Sequence, residues 1–321
     1  MATAYGTILD AKYLTQGLAL YDSSRAALSA SRFYFFAMDE RASRLLHQLS
    51  LPNVRVIEPD GFAHPDLDAQ RSFRSTAELC WASKPLAIRY MLDDMPGADW
   101  ACYLDGDMAF FGDLAPTLNA ANDTTFGLFT PHRFGPSMAH WIEKVGVHNA
   151  GFAAFRQSRG TDRVLERWFR DCLARPKPED RGGETFDQMI LDNIFDEEPG
   201  VRDLDHPGVN LAPWNAGNYA IERSDGKVRV DSNELILFHF QSLRMHGHRL
   251  YTLYNGDWRI PPALRQAVYR PYVNRLRAAI DTLRAIDPDF HPQTQPIAAS
   301  WKEYLFLATL LAKRRRHMVF A

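Results

Sequence analysis

Cysteine is scarce in this chain of 321 residues, and its scarcity excludes two kinds of framework. Cys80, Cys102 and Cys172 are odd in number and lack metal-site spacing, so neither a disulfide-stapled scaffold nor a structural zinc site is expected. A reducing compartment fits best. Glycine-rich phosphate loops are missing too. No GxGxxG, and no GxxxxGK followed by Ser or Thr, comes after a strand-like run, which removes the dinucleotide fingerprint and the P-loop. A nucleotide would have to be held in another way. Charge of neither sign prevails, since 37 basic residues stand against 39 acidic ones. Nucleic-acid binding calls for a basic domain or stripe, and the only dense basic cluster is Lys313-Arg314-Arg315-Arg316, so no nucleic-acid partner is expected. No apolar run is long enough to span a bilayer: residues 304–312 fall far short of the roughly 20 required. Near the N-terminus Asp10 and Lys12 interrupt what a signal peptide would keep apolar, and the expected location is the cytoplasm. There is no internal repeat and no low-complexity tract.

What is present is an alternation of short apolar runs with helical patterns, the signature of a mostly parallel sheet flanked by helices. Residues 2–9 read as a strand. Residues 13–30 place Leu14, Leu18, Leu20, Tyr21 and Leu28 at near-helical spacing, and RFYFFA at 32–37 reads as a buried strand. A short helix at 41–49, a strand at 54–57, a helix at 77–92 and a strand at 100–104 follow. Further on, 126–130 and 151–155 read as strands, 162–174 and 185–194 as helices, and 236–240 as the last good strand. The character then turns helical over 263–286, and a Pro-bearing stretch at 287–296 precedes a final helix at about 299–316.

YLDGDMAFF sets Asp105 and Asp107 two residues apart at the end of an apolar strand, where parallel sheets usually open onto a ligand crevice. Hard divalent cations prefer oxygen ligands and commonly bind one or two carboxylates together with substrate phosphates. Two acidic residues at a strand end also serve as a solvated turn or a helix cap. Here the flanking residues are strongly apolar, and two carboxylates brought together in such surroundings without a cation would be costly. Gly106 is expected to let the backbone approach a ligand and to relieve crowding between the two side chains.

Seven separated blocks carry a resemblance: KYLTQGLALYDS, WASKPLAIRYML, YLDGDMAFF, HNAGFAAF, FDQMILDNIF, VNLAPWNAGNY and LILFHF. In this order, over roughly residues 2–240, they resemble bacterial GT-A glycosyltransferases of the glycogenin-like and lipooligosaccharide-galactosyltransferase group, glycosyltransferase family eight in the wide sense. The resemblance implies an α/β GT-A fold over residues 1–245, with 246–321 as a helical appendage. It makes Asp105, Asp107 and His239 ligands of Mn²⁺ or Mg²⁺. It puts Ala4, Tyr5, Thr7, Lys84, Asp105, Gly106, Asn149, Ala150, Gly151, Asp187 and Gln188 around a nucleotide-sugar donor, with Asp187 and Gln188 closest to the reacting carbon. Trp214, Asn215 and Asn218 fall on the acceptor side. Family members continue from the histidine into a Gly and a Lys-Pro-Trp, whereas this chain reads QSLRMHGHR, which leaves Arg244, His246 and His248 as candidates to meet the diphosphate.

Each assignment has a plainer alternative. His239 could be a core histidine, Lys84 a surface lysine, Asp187 a helix cap and Trp214 a buried, satisfied indole. The implied reaction is transfer of a sugar from a nucleoside-diphosphate sugar, by default UDP-linked, to a hydroxyl of a glycan or lipid-linked glycan, with retention of the anomeric configuration. The rivals are a non-catalytic nucleotide-sugar-binding or scaffold protein and a nucleotidyltransferase on a similar sheet. SWKEYLFLATLLAKRRRHMVF at the C-terminus combines apolar side chains with a basic end, which fits peripheral contact with an anionic membrane through residues 299–321 or a docking helix.

Overall fold

The computed structural model describes residues 1–28, 31–175, 189–246, 250–254, 260–294 and 318–320. Its centre is a seven-stranded sheet of order β3-β2-β1-β4-β7-β6-β8. The strands are β1 (Thr3–Leu9), β2 (Arg32–Ala37), β3 (Val54–Ile57), β4 (Trp100–Leu104), β6 (Gly127–Pro131), β7 (His148–Phe155) and β8 (Val201–Asp203). A short β5 (Met108–Phe110) follows β4 outside this sheet. β3, β2, β1 and β4 are parallel, β7 runs antiparallel to both β4 and β6, and β8 is parallel to β6. Only β7 is therefore reversed.

The strand runs form strands because both faces of the sheet are covered, so apolar residues need not alternate with polar ones. Alternate residues go to opposite faces. Tyr5, Leu9, Phe33, Phe35, Cys102 and Leu104 join one core cluster, with the helices Leu14–Ser24 and Glu40–Leu49. Ala4, Ile8, Tyr34, Phe36, Ala101 and Tyr103 join the other, with the helices Thr76–Asp94, Arg159–Ala174 and Met189–Glu197. The helix Thr76–Asp94 starts at a capping box, in which Ser75 and Glu78 satisfy each other's backbone N–H groups.

Beyond β8 come β9 (Ile221–Ser224), β10 (Lys227–Val230) and β11 (Asn233–Glu234) in a three-stranded sheet, and β12 (Leu237–His239), which pairs antiparallel with β5. β13 (Arg244–His246), β14 (Leu250–Thr252) and β15 (Met318–Phe320) form a further antiparallel sheet. None of β5, β9–β11 or β13–β15 was expected from the sequence. The single helix expected over 263–286 is instead a short turn, Pro262–Leu264, a π-helical segment, Arg265–Tyr269, and the helix Arg270–Ile286. Pro271 explains the break: it has no N–H for the Ala267 carbonyl, and its ring crowds that carbonyl, so the turn widens just ahead of it. Leu283 and Phe290 share the core cluster of Tyr5, and Tyr272 stacks on Phe240 with ring centroids 3.6 Å apart. The expected helix at 299–316, with its basic end, lies outside the described residues.

Candidate metal and donor site

Strand β4 is wholly buried and delivers Asp105 to the edge of the sheet at which the parallel strands end. Because β7 is reversed, it begins at that same edge: Leu104 pairs with Phe152, and the Asp105 N–H donates to the Gly151 carbonyl at 2.8 Å. The chain then turns back, with the Met108 N–H bonded to the Asp105 carbonyl at 3.0 Å, and enters β5. In the β5–β12 pairing Met108 lies opposite His239, and the Phe240 N–H donates to the Asp107 carbonyl at 2.8 Å. Two separate sheets thus bring His239 beside the two aspartates. One potential ligand atom from each of Asp105, Asp107 and His239 lies within 4.8 Å of the others.

The two carboxylates are held differently. Asp105 Oδ1 takes the Lys84 ammonium at 3.0 Å and the Tyr103 hydroxyl at 3.0 Å, and Lys84 Nζ also donates to the Ala150 carbonyl at 3.1 Å. Lys84 is buried, not a surface lysine. Asp107 Oδ1 lies 3.1 Å from His239 Nε2. Burial would raise the Asp107 carboxyl pKa, but the charge and hydrogen bond of His239 outweigh it, so the net shift is downward. The reverse holds for His239, where burial pulls the pKa down and Asp107 more than restores it. Burial, then the neighbouring Asp105, pushes the Tyr103 hydroxyl well above its usual range.

The hollow between these groups is kept open by a missing side chain. A Cβ on Gly151 would lie 2.7 Å from Asn149 Oδ1, 2.8 Å from His239 Cε1 and 3.0 Å from Asp105 Oδ2. Gly106 needs no such explanation: its φ is not positive, and a Cβ there would meet Thr7 Oγ1 at an ordinary 3.6 Å. The expectation that Gly106 relieves crowding is corrected to Gly151. Two hard carboxylates and an imidazole around this space are a donor set that can hold a divalent cation.

The other expected residues divide by position. Thr7, at the site end of β1, has a buried hydroxyl without a hydrogen-bond partner. Ala4 and Tyr5 are not brought to the cluster; Ala4 pairs with Ala101 and Tyr5 with Cys102, and Tyr5 packs edge-on against Phe110 in the core. Asn149 and Ala150 line the start of β7, next to Gly151. Trp214 is buried, donates its indole N–H to the His132 carbonyl at 2.9 Å and packs edge-on against the His239 ring, so its face is not free for a sugar. Asn215 is fully buried, and its side-chain oxygen accepts from the Ala212 N–H at 2.9 Å. Asn218 is at the surface and donates to the Arg133 carbonyl at 2.6 Å. Arg244 is exposed on β13, and its charge acts on the Tyr13 hydroxyl, as does that of Asp107. His246 Nε2 lies 2.9 Å from Thr252 Oγ1. Asp187, Gln188 and His248 lie outside the described residues.

Sequence reading missed the polar layer behind His239, formed by Asn210, His132 and Thr130. A signal existed in VNLAP, where an asparagine interrupts an apolar run. Also missed was His148, whose Nδ1 is 2.7 Å from Asp192 Oδ1 and whose Nε2 is 3.0 Å from Asp203 Oδ1, with its ring stacked 3.5 Å from that of Phe195. This cluster ties β7 and β8 to the helix Met189–Glu197.

No family model matches the chain. Two proteins of Bacillus subtilis (strain 168) are similar over most of its length. The uncharacterized protein YfnF is 28% identical over 301 residues, covering 91% of this chain and 97% of YfnF. The uncharacterized protein YfnD is 26% identical over 289 residues, covering 89% of this chain and 92% of YfnD. Among solved structures, galactosyltransferase LgtC in complex with donor and acceptor sugar analogs matches with a TM-score of 0.53 at 17% identity, covering 87% of this chain and 96% of LgtC. The chain has the fold of LgtC, the GT-A arrangement of a mostly parallel sheet between helices with its acidic pair at the sheet's edge.

Proposed function

We propose that the chain is a metal-dependent glycosyltransferase that moves a sugar from a nucleoside-diphosphate donor, by preference a UDP-sugar, to a hydroxyl of a glycan or lipid-linked glycan. One observation carries the reading. Asp105, Asp107 and His239 converge around the hollow beside Gly151, on the fold of a galactosyltransferase that was solved with donor and acceptor sugar analogs.

Glycosyl transfer is slow in water because negative charge builds on the departing diphosphate. A Mn²⁺ or Mg²⁺ ion held by Asp105, Asp107 and His239 would supply Lewis-acid stabilisation of that charge. Lys84 holds Asp105 in place, so that one carboxylate oxygen is occupied and Oδ2 is turned toward the hollow. Thr7 and the Asn149-Ala150-Gly151 edge border the donor. Asp187 and Gln188 hold the sugar hydroxyls: a carboxylate accepts from two hydroxyls, while an amide both donates and accepts. Gln188 steadies the anomeric centre for attack on the front face, which retains its configuration. Arg244, exposed and electrostatically coupled to Tyr13, is the first choice among Arg244, His246 and His248 for the far side of the diphosphate. Residues 299–321 attach the enzyme to the cytoplasmic face of an anionic membrane, where a lipid-linked acceptor would reside.

The test is release of nucleoside diphosphate from a panel of nucleotide sugars with and without Mn²⁺. Metal-dependent release that disappears in Asp107→Ala is expected. Tight donor binding without turnover, with any acceptor tried, would instead indicate the non-catalytic binding protein.

A further inference from the structure

Behind His239 lies a row of polar side chains, all nearly closed to solvent: His132 is 4% exposed, Asn149 6%, Asn210 0% and His239 5%. Backbone groups set the direction of hydrogen bonding along this row. The Gly151 N–H can only donate, and it meets Asn149 Oδ1 at 3.0 Å, so the amide nitrogen of Asn149 is the atom facing His132 Nε2 at 3.2 Å. At the far end the Gly146 and Val147 carbonyls can only accept, and they lie 3.1 and 3.2 Å from His132 Nδ1. His132 therefore carries its proton on Nδ1 and accepts on Nε2, as the Asn149 amide requires. Burial, against the pull of those two carbonyls, lowers its pKa to about 4, consistent with a neutral ring.

Asn210 is next in the row. Its amide nitrogen donates to Asn149 Oδ1 at 2.9 Å and to Thr130 Oγ1 at 2.7 Å, which leaves Asn210 Oδ1 facing His239 Nδ1 at 3.2 Å. That oxygen only accepts, so His239 Nδ1 must carry a hydrogen. The backbone of Asn210 is itself held in place, at a left-handed φ of 57° that asparagine tolerates better than most residues. Its carbonyl accepts from Asn215 Nδ2 at 3.2 Å, and the next carbonyl, that of Leu211, accepts from the His239 N–H at 2.8 Å.

We propose that Asn210 is a positioning residue that fixes the proton of His239 on Nδ1 and so reserves Nε2, the nitrogen facing Asp107, for the cation. The proposal rests on the metal-site reading above. It gives the buried asparagine of VNLAP a task distinct from packing: with the opposite tautomer, two lone pairs would confront each other at 3.2 Å in a site closed to water.

The test measures Mn²⁺ affinity without donor or acceptor, by the electron paramagnetic resonance signal of free Mn²⁺. Asn210→Gly keeps the left-handed backbone at ease and removes the acceptor together with the amide donor to Asn149 and Thr130, and is expected to weaken binding by about 10–100-fold, as loss of a ligand's orienting partner typically does. Thr130→Val removes one acceptor of the Asn210 amide and leaves Oδ1 on the Nδ1–H of His239, and is expected to retain most of the affinity. Nitrogen-15 spectra of histidine-labelled wild type with Zn²⁺ give a second readout, in which His239 should show a protonated Nδ1 and a metal-bound Nε2. They decide the matter if Asn210→Gly does not fold. Wild-type affinity in folded Asn210→Gly, or a metal-bound His239 protonated on Nε2, overturns the relay alone. Failure of wild type to bind any Mn²⁺ overturns the metal reading as well.

Discussion

Two buried histidines at the same edge of the sheet serve opposite purposes. His148 lies between two carboxylates, Asp192 and Asp203, each an acceptor only, so both of its bonds can form together only when the ring is an imidazolium. His239 also faces two acceptors, the Asp107 carboxylate and the amide oxygen of Asn210, so without a cation it too makes both bonds as an imidazolium. The difference is that Asp107 is itself a candidate cation ligand and that the other neighbour, Asn210, is neutral. A second carboxylate commits a histidine to structure. An amide in its place leaves one nitrogen that an incoming cation can claim. Burial acts against charge on both rings, and in both the neighbouring carboxylates prevail, so their pKa values are raised for the same reason although the outcomes differ.

The largest expected effect comes from breaking the His239 side. His239→Ala or Asp107→Ala should lower Mn²⁺-dependent turnover by about 10²–10³-fold, the usual scale for removing a charge-stabilising group, measured as kcat on the best donor. Gly151→Ala comes next. Its methyl group would enter the hollow, so the stabilisation that Mn²⁺ is expected to give wild type in thermal melting should vanish, with an overpacking cost of about 1–3 kcal/mol in the metal-free protein. Retained Mn²⁺ stabilisation would show that the cation is held elsewhere.

On the other side, His148→Gln should destabilise the fold by about 1–3 kcal/mol at pH 6, in urea unfolding, without removing Mn²⁺ binding. The sign with pH follows from the raised pKa of His148. Its contribution is fully present below the unfolded value of about 6.5 and is lost as pH rises through the higher folded value. The gap between wild type and His148→Gln should therefore narrow from pH 6 to pH 9, and a constant gap would contradict the imidazolium assignment. Gly106→Ala is the smallest change: with a Cβ in ordinary contact range, it should shift stability by less than about 1 kcal/mol and leave Mn²⁺ binding intact.

The parallel half of the fold was legible because β2 and β4 are buried along almost their whole length and fall on the apolar runs themselves, while β3, partly exposed at the sheet's edge, still carries three apolar residues of four. Among the antiparallel pieces, β7 and β12 were also anticipated, at 151–155 and 236–240, and β5 was not. β5 has three residues and owes its existence to pairing with β12, which no local pattern records. The acidic pair was read from its place at the end of an apolar strand, whereas His239 was reached only through ordered blocks of resemblance, since nothing local relates residues so far apart in the chain. Tyr5 was misplaced because a strand sends alternate residues to opposite faces and only its last residues reach the ligand edge. Asn210 was overlooked for a different reason: its role lies in which of its amide atoms faces which neighbour, a property of three dimensions alone.

The reversed strand has one more consequence. Because β7 enters at the ligand edge and is clamped there, Gly151 to Asp105, the connection from Pro131 to His148 ends where the carboxylates begin. That connection can grow, shrink or change its chemistry on the outer side while the clamp keeps the inner side in register. In a protein built this way the geometry around the acidic pair is insulated from whatever happens in the outer part of that connection.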